Sequence, residues 1–539
     1  MKRMLGLAAP ALTLAWGLAL TLLLWPLAAH TQTLRWASQG DLQTLDPHSQ
    51  NESLTNMVNS QVYERLTARD AKLAMVPGLA TEWRQTGPLN WRFKLRAGVK
   101  FHDGTPFTAD DVLFSIQRAK DPNSQIAVYA HAVGVPKRVD ALTVDFQLGQ
   151  PNPIFLQHID QLWIMSRAWC EAHRALKPLD FKSKEENFAA LHANGTGPYQ
   201  LASRAPGIKT TYRRHAGWWG KFEGNVQEVA YTPISNDATR LAALVSGEID
   251  LVLDPAPRDV ARLRHTSGIK IIDGPENRLV FIGMDQARDK LLHGRATSLD
   301  GQDRNPFKDI RVRRALYQAV DVEALKSKLM SGLSEPTGGL TPSSLASLDD
   351  PTLQTRLPHD LAGAKKLMAE AGHADGFEVT LDCPNNRYIN DEEICSALAA
   401  MWAQLKIKVR VNAMPRVLYF PKLEKLDTSL YLFGWGGSLT DAESILTPVF
   451  RNRGDKGVGA YNYGNFRDDK ADALIAQSSV EPDPKKREAL IRAVLSELRE
   501  QVHVIPLHRQ VVPWAARSQV TAVHRPDNWL EFGWVQISR

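Results

Sequence analysis

Residues 430–433, Leu-Tyr-Leu-Phe, form an unbroken apolar run that stops at Gly434-Trp435-Gly436-Gly437. Four apolar residues in a row fit a strand covered on both faces, which belongs to an α/β sheet rather than to a half-exposed one. Glycines at the strand end let the backbone take positive φ or let another group approach closely. A tryptophan among glycines has no bulky sequence neighbours to bury it. Two readings stay open: Gly434, Trp435 and Gly436 wall a binding cleft, or the strand packs with a glycine turn and Trp435 in the core. Ser438, Thr440 and Asp441 follow, and Thr440 or Asp441 is placed to cap a helix over 442–446. In open α/β sheets, ligands bind at the carboxyl ends of strands.

The chain has 539 residues, beyond the ~250–300 at which single cores stop growing, so more than one domain is expected. Its charge of +6 comes from interleaved acids and bases, which argues against a nucleic-acid partner. Met1-Lys2-Arg3 is a short basic head, residues 5–29 are uncharged, and small residues precede a polar segment at 30–33. That pattern is a secretory signal peptide over residues 1–30, which places the mature chain in the periplasm. The apolar run is also long enough for an uncleaved anchor, although Pro10 and Pro26 bracket it and favour cleavage.

An exported chain lies in a disulfide-permissive compartment. Cys383 ends an expected strand over 377–382, and Cys395 lies on a helix beginning near Asp391. The segment between them turns back, which leaves a disulfide or two buried thiols as the readings, with Cys170 left over. Three cysteines without a matching histidine pattern give no zinc site, and no cofactor motif is present.

In chain order, a strand is expected over 34–38. The polar stretch 48–53 follows, from which Gln50, Asn51 and Ser53 are candidates to line a cleft. A helix is expected through 62–66. Residues 91–96, W-R-F-K-L-R, alternate apolar and basic as a half-exposed strand does, and 99–101 is expected to continue it. Thr108 with Asp111 three residues on is a capping box. His102 beside Asp103 reads as a turn, not a catalytic pair. Residues 195–199, G-T-G-P-Y, turn into a strand without the Gly-Lys-Ser/Thr of a phosphate loop. Asn236 or Asp237 caps a helix closed by Gly247, and a strand over 249–253 follows.

The segment W-R-F-K-L-R-A-G-V-K-F-H-D-G-T-P-F-T-A-D-D-V resembles the hallmark of the family 5 solute-binding proteins of bacterial ABC importers. G-T-G-P-Y at 195–199, S-G-E-I-D at 246–250, R-V-R-R-A-L-Y-Q-A-V-D at 311–321 and the Gly-Trp turn at 434–435 stand in the family's order. The resemblance implies an α/β fold of the two-lobe periplasmic type (class II, with an extra subdomain) and a ligand cleft between the lobes. Lobe I would span 31–283 with an inserted subdomain about 81–190. Lobe II would span 284–508, and 509–539 would return to lobe I. The crossings would fall near 281–285 and 508–511.

It further implies a monomer that captures a small peptide and passes it to a permease in the inner membrane. A metal chelate, an opine or a sugar is the alternative solute. Peptide binders of this family usually carry an Asp just after the Gly-Trp turn, where this chain has Ser438. A hydroxyl cannot offset the desolvation of a buried ammonium as a carboxylate does. Asp441 matches a second acidic position and is a candidate to take over. Arg387, with Tyr388 beside it, is either a carboxylate partner or a surface arginine in a loop. A periplasmic hydrolase is the remote alternative. The chain has no G-x-S-x-G elbow and no H-E-x-x-H. Its one S-x-x-K, at Ser267–Lys270, contains Gly268 and runs into strand-like residues.

Overall fold

The computed structural model describes residues 32–181, 186–298, 301–342, 350–436 and 439–538. The signal segment expected over 1–30 and the candidate Ser438 lie outside the described residues. Twelve of the strands combine into one large sheet that runs through both lobes. In lobe I, Thr33–Ser38 pairs in parallel with Glu228–Pro233 and with Leu251–Val252. Between these last two lies the helix Asp237–Ser246, capped by Asn236 and ended by Gly247 at φ 84°. In lobe II, Glu378–Pro384, the helix Asp391–Trp402 and Lys408–Met414 make a β-α-β unit with parallel pairing. Glu378–Pro384 also pairs with Leu430–Gly436, which is buried through Trp435 as the apolar run requires.

Two long strands join the lobes. Ile269–Met284 leads out and Val504–Arg517 leads back, and they pair with each other antiparallel. Register is lost between Pro275 and Leu279. The first stretch, Ile269–Pro275, pairs with residues on the lobe I side, whereas Val280 and Ile282 pack in the core around Leu381, Ile394 and Trp402. The pairing of the two long strands is thus interrupted at 275–279, between these two stretches. A separate four-stranded sheet over residues 80–147 carries the capping-box helix Ala109–Ala119, with Thr108 and Asp111 bonding reciprocally.

Two expected elements differ. Residues 62–66 are not helical; the helix lies earlier, at Ser53–Asn59. Val62 and Tyr63 are buried all the same, because the backbone carbonyls of Gln61 and Val62 accept from Tyr199 and Gly197, at 2.9 and 2.8 Å. Residues 99–101 do not continue the strand Asn90–Leu95. Phe101 N–H bonds to Thr105 and His102 N–H to Gly195, folding the segment into a turn.

Candidate functional site

A cavity of about 780 Å³, open solvent at its mouth included, lies between the lobes. From lobe I it takes Gln50, Asn51, Glu52, Ser53, Asn56, Gln125 and Tyr129, and from the loop after Glu378–Pro384 it takes Arg387 and Tyr388. Gly434, Trp435 and Gly436 supply the strand end, and Arg278 comes from the crossing. Phe420, Tyr461, Tyr463 and Trp529 complete aromatic walls.

Three charged groups, two buried and one half-buried, organise the space. Glu52 caps the helix Ser53–Asn59, accepting the Leu54 and Thr55 amides at 3.2 and 3.0 Å. Arg416, at the start of the helix Arg416–Glu424, reaches it at 3.0 Å, as does Arg387. Burial pushes the Glu52 carboxyl up, but the two guanidinium groups and the amides outweigh it and hold the group at about 2. Since Glu52 belongs to lobe I and both arginines to lobe II, this ion cluster bridges the cleft.

The second group is centred on Arg278, 2% exposed. Its Nε donates to Glu276 at 2.7 Å, and Gln510 donates to the other Glu276 oxygen at 2.7 Å. Nη2 of Arg278 is buried without a partner, a donor that calls for an acceptor. The third is Glu424, at the end of the helix Arg416–Glu424. It accepts from Tyr463 Oη at 2.9 Å and from Gln125 Nε2 at 3.1 Å, the latter across the cleft. Asp391 fixes the loop beside them, its Oδ2 accepting the Arg387 and Tyr388 amides at 2.8 and 3.0 Å. Burial holds the Asp391 carboxyl up at about 7. The disulfide Cys383–Cys395 ties together the two elements that flank this loop, while Cys170 is free and buried.

One candidate lies elsewhere, and for another both open readings hold. Asp441 does not line the cavity. It is bound bidentately by Arg487 at 2.7 and 2.9 Å on a groove at the lobe seam, and its Oδ1 accepts the Glu443 amide. Its charge is already matched by the Arg487 guanidinium. Trp435 is both wall and core. It is 7% exposed, its Nε1 donates to the Ser444 carbonyl at 2.6 Å, and its ring lies 4.6 Å from Tyr461. Sequence reasoning missed Glu52, Arg278 and Glu424. Arg278 had a signal: Glu276-Asn277-Arg278 is a polar triplet directly before the apolar run 279–282. No cluster of three or more metal-ligating side chains occurs among the described residues.

A mixed sheet continuous through two lobes, with a charged and aromatic cavity between them, defines a two-lobe periplasmic binding protein fold. The chain belongs to the bacterial extracellular solute-binding proteins, family 5, whose model matches residues 74–457. It is 26% identical over 477 residues to the glutathione-binding protein GsiB of Escherichia coli O1:K1 / APEC, covering 86% of each chain. Among solved structures it matches the periplasmic binding protein DppA of Helicobacter pylori in complex with the peptide STSA, with TM-score 0.82 and 20% identity over 94% of this chain and 98% of that one. It also matches MoaA of A. tumefaciens R10 in complex with mannopinic acid, with TM-score 0.81 and 24% identity over 94% and 100%. At these identities the structural likeness is one of fold. As a member of this family the chain is a solute-binding protein. No helix among the described residues is long and apolar enough to cross a membrane.

Proposed function

We propose that this protein is exported to the periplasm, closes its lobes on a small peptide-like solute and presents it to the permease of an ABC importer. The observation that carries the reading is Arg278, whose buried Nη2 lacks an acceptor at the cavity wall. With Arg387, which lines the same cavity and lies over the Tyr388 ring, it offers guanidinium groups for a ligand carboxylate. Glu424, held by Tyr463 and Gln125, supplies the opposite charge for an ammonium in place of Ser438 or Asp441. The likeness to glutathione-binding relatives supports a peptide-like ligand bearing both charges. An opine acid is the second reading, because the same seat and the aromatic walls suit it. The lobes would be 31–283 with 509–539, and 284–508, adjusted to a crossing near 275–279.

Thermal-shift and calorimetric titration of the exported protein test this with short peptides, opines, metal chelates and sugars. Peptides should raise the melting temperature, by ~2.7 kcal/mol of stabilisation at a hundredfold excess over Kd. Stabilisation by sugars or chelates alone refutes the reading. Mass spectrometry should place the mature N-terminus between His30 and Thr33; retention of 1–29 favours an anchor.

A further inference from the structure

The strand Leu430–Gly436 loses its neighbour before it ends. Glu378–Pro384 pairs with it only at Leu430 and Tyr431. Three residues further on, Gly434 is paired with Val280 on one side, but on the side that Glu378–Pro384 has left, towards the cleft, no strand lies beside it. The Tyr388 hydroxyl covers it: Gly434 N–H donates to Tyr388 Oη at 2.8 Å, and the same hydroxyl donates to Gly434 C=O at 3.3 Å. One side chain thus takes both groups that a neighbouring strand would use.

Gly434 is fitted to this arrangement. A Cβ there would lie 2.7 Å from Tyr388 Cε1, so the close approach its sequence promised is made by the chain's own tyrosine. Tyr388 is 1% exposed and is held from several directions. Its amide donates to Asp391, its carbonyl accepts from Gln39 of lobe I at 3.3 Å, and Arg387 lies over its ring at 4.9 Å. It has little freedom to withdraw.

We infer that Tyr388 stands in for a ligand main chain at the edge of Leu430–Gly436, so that the cleft selects a compact anionic solute gripped by side chains over an extended α-linked peptide added as a strand. Strand addition draws affinity from main-chain hydrogen bonds, and here the edge is occupied before a ligand arrives. What remains for recognition is side chains, chiefly the guanidinium groups of Arg278 and Arg387 with Glu424 opposite. This inference rests on the peptide-like reading of the cleft and narrows it to ligands with a free carboxylate and a non-extended backbone.

The test uses wild-type protein and Tyr388→Phe, which keeps the ring and removes the hydroxyl. Glutathione, a compact γ-linked peptide with two carboxylates, and trialanine, an ordinary α-linked one, are titrated by calorimetry. Wild type should bind glutathione at least tenfold more tightly than trialanine, and Tyr388→Phe should shift that ratio about tenfold towards trialanine. Hydrogen exchange of the ligand-free proteins gives an independent readout: the Gly434 amide should exchange at least tenfold faster in the variant. Equal binding of both peptides by wild type, or an unchanged ratio or exchange rate in a variant that melts normally, overturns the role of Tyr388 while the peptide-like reading stands. Binding of neither peptide by either protein removes that reading and this inference with it.

Discussion

Replacing Glu52 by Gln changes one oxygen to an amide group and removes the charge that bridges the lobes. A carboxyl held at about 2 rather than 4.5 contributes about 3 kcal/mol at neutral pH, at 1.36 kcal/mol per pKa unit. Removing it leaves Arg387 without its anionic partner, whereas Arg416 keeps the Asn386 carbonyl at 3.0 Å. Breaking a buried pair in this way costs about 3–5 kcal/mol, which agrees in size. Because the partners sit on opposite lobes, the loss falls on the closed state; in an open cleft, water solvates all three groups. A loss of about 3 kcal/mol moves the open–closed ratio by roughly a hundredfold. The pH dependence has a definite sign. The folded pKa is depressed, so the contribution is complete above about pH 5 and is lost as the pH falls through 4.5 towards 2. Small-angle scattering and thermal melts of wild type and Glu52→Gln, run from pH 7 to pH 3.5, read this directly. The variant should be more expanded and less stable at pH 7, and the gap between the two proteins should narrow by about 1.4 kcal/mol by pH 3.5. Equal radius of gyration and equal melting temperature at neutral pH would refute the bridge.

Three further outcomes follow from the site. Trp435→Ala should lower ligand-free stability by ~3–5 kcal/mol, the cost of deleting a core tryptophan, and should also weaken peptide binding; a melt identical to wild type would show that the ring is only a wall. Arg278→Gln should weaken a peptide acid by ~1.5–3 kcal/mol, as loss of a charge-assisted bond does, and leave the matching peptide amide nearly unchanged; equal losses for acid and amide would place the carboxylate elsewhere. Burial pushes the Cys170 thiol up to about 12, so iodoacetamide at pH 8 should modify it only after unfolding, and peptide mapping should recover Cys383 and Cys395 as one linked pair; rapid labelling of native protein would contradict its burial.

The local rules of the chain were legible where residues act on their nearest neighbours. The Thr108–Asp111 box, Gly247 and the buried run before Gly434 needed only spacing and side-chain chemistry. The misplaced helix at 62–66 shows what local rules omit. Gly195 and Gly197 bring their backbone onto Gln61 and Val62, where a Cβ would meet the Val62 carbonyl oxygen at 1.9 and 2.7 Å. That pairing across more than a hundred residues claims the carbonyls a helix would have used, and no spacing signals it. The cleft divides in the same way. Gln50, Asn51, Ser53, Arg387 and Tyr388 stood out as polar or aromatic residues in turns, and the structure brings them to one cavity. Glu52 passed unnoticed because its partners Arg387 and Arg416 lie over three hundred residues away. Asp441 misled for the same reason, since Arg487 was invisible to its neighbours.

The outgoing and return strands are bonded to each other on both sides of the break at 275–279. The tether between the lobes is therefore a ribbon rather than two separate strings. A ribbon folds readily across its width at its weakest rung, but it resists shear, because a slip of one residue would turn every side chain to the opposite face. The lobes are left with one hinge angle and no sliding. Motion about such a hinge would return Glu52 to Arg387 and Arg416 at each closure, so that the contents of the cleft would be expressed outside as one angle.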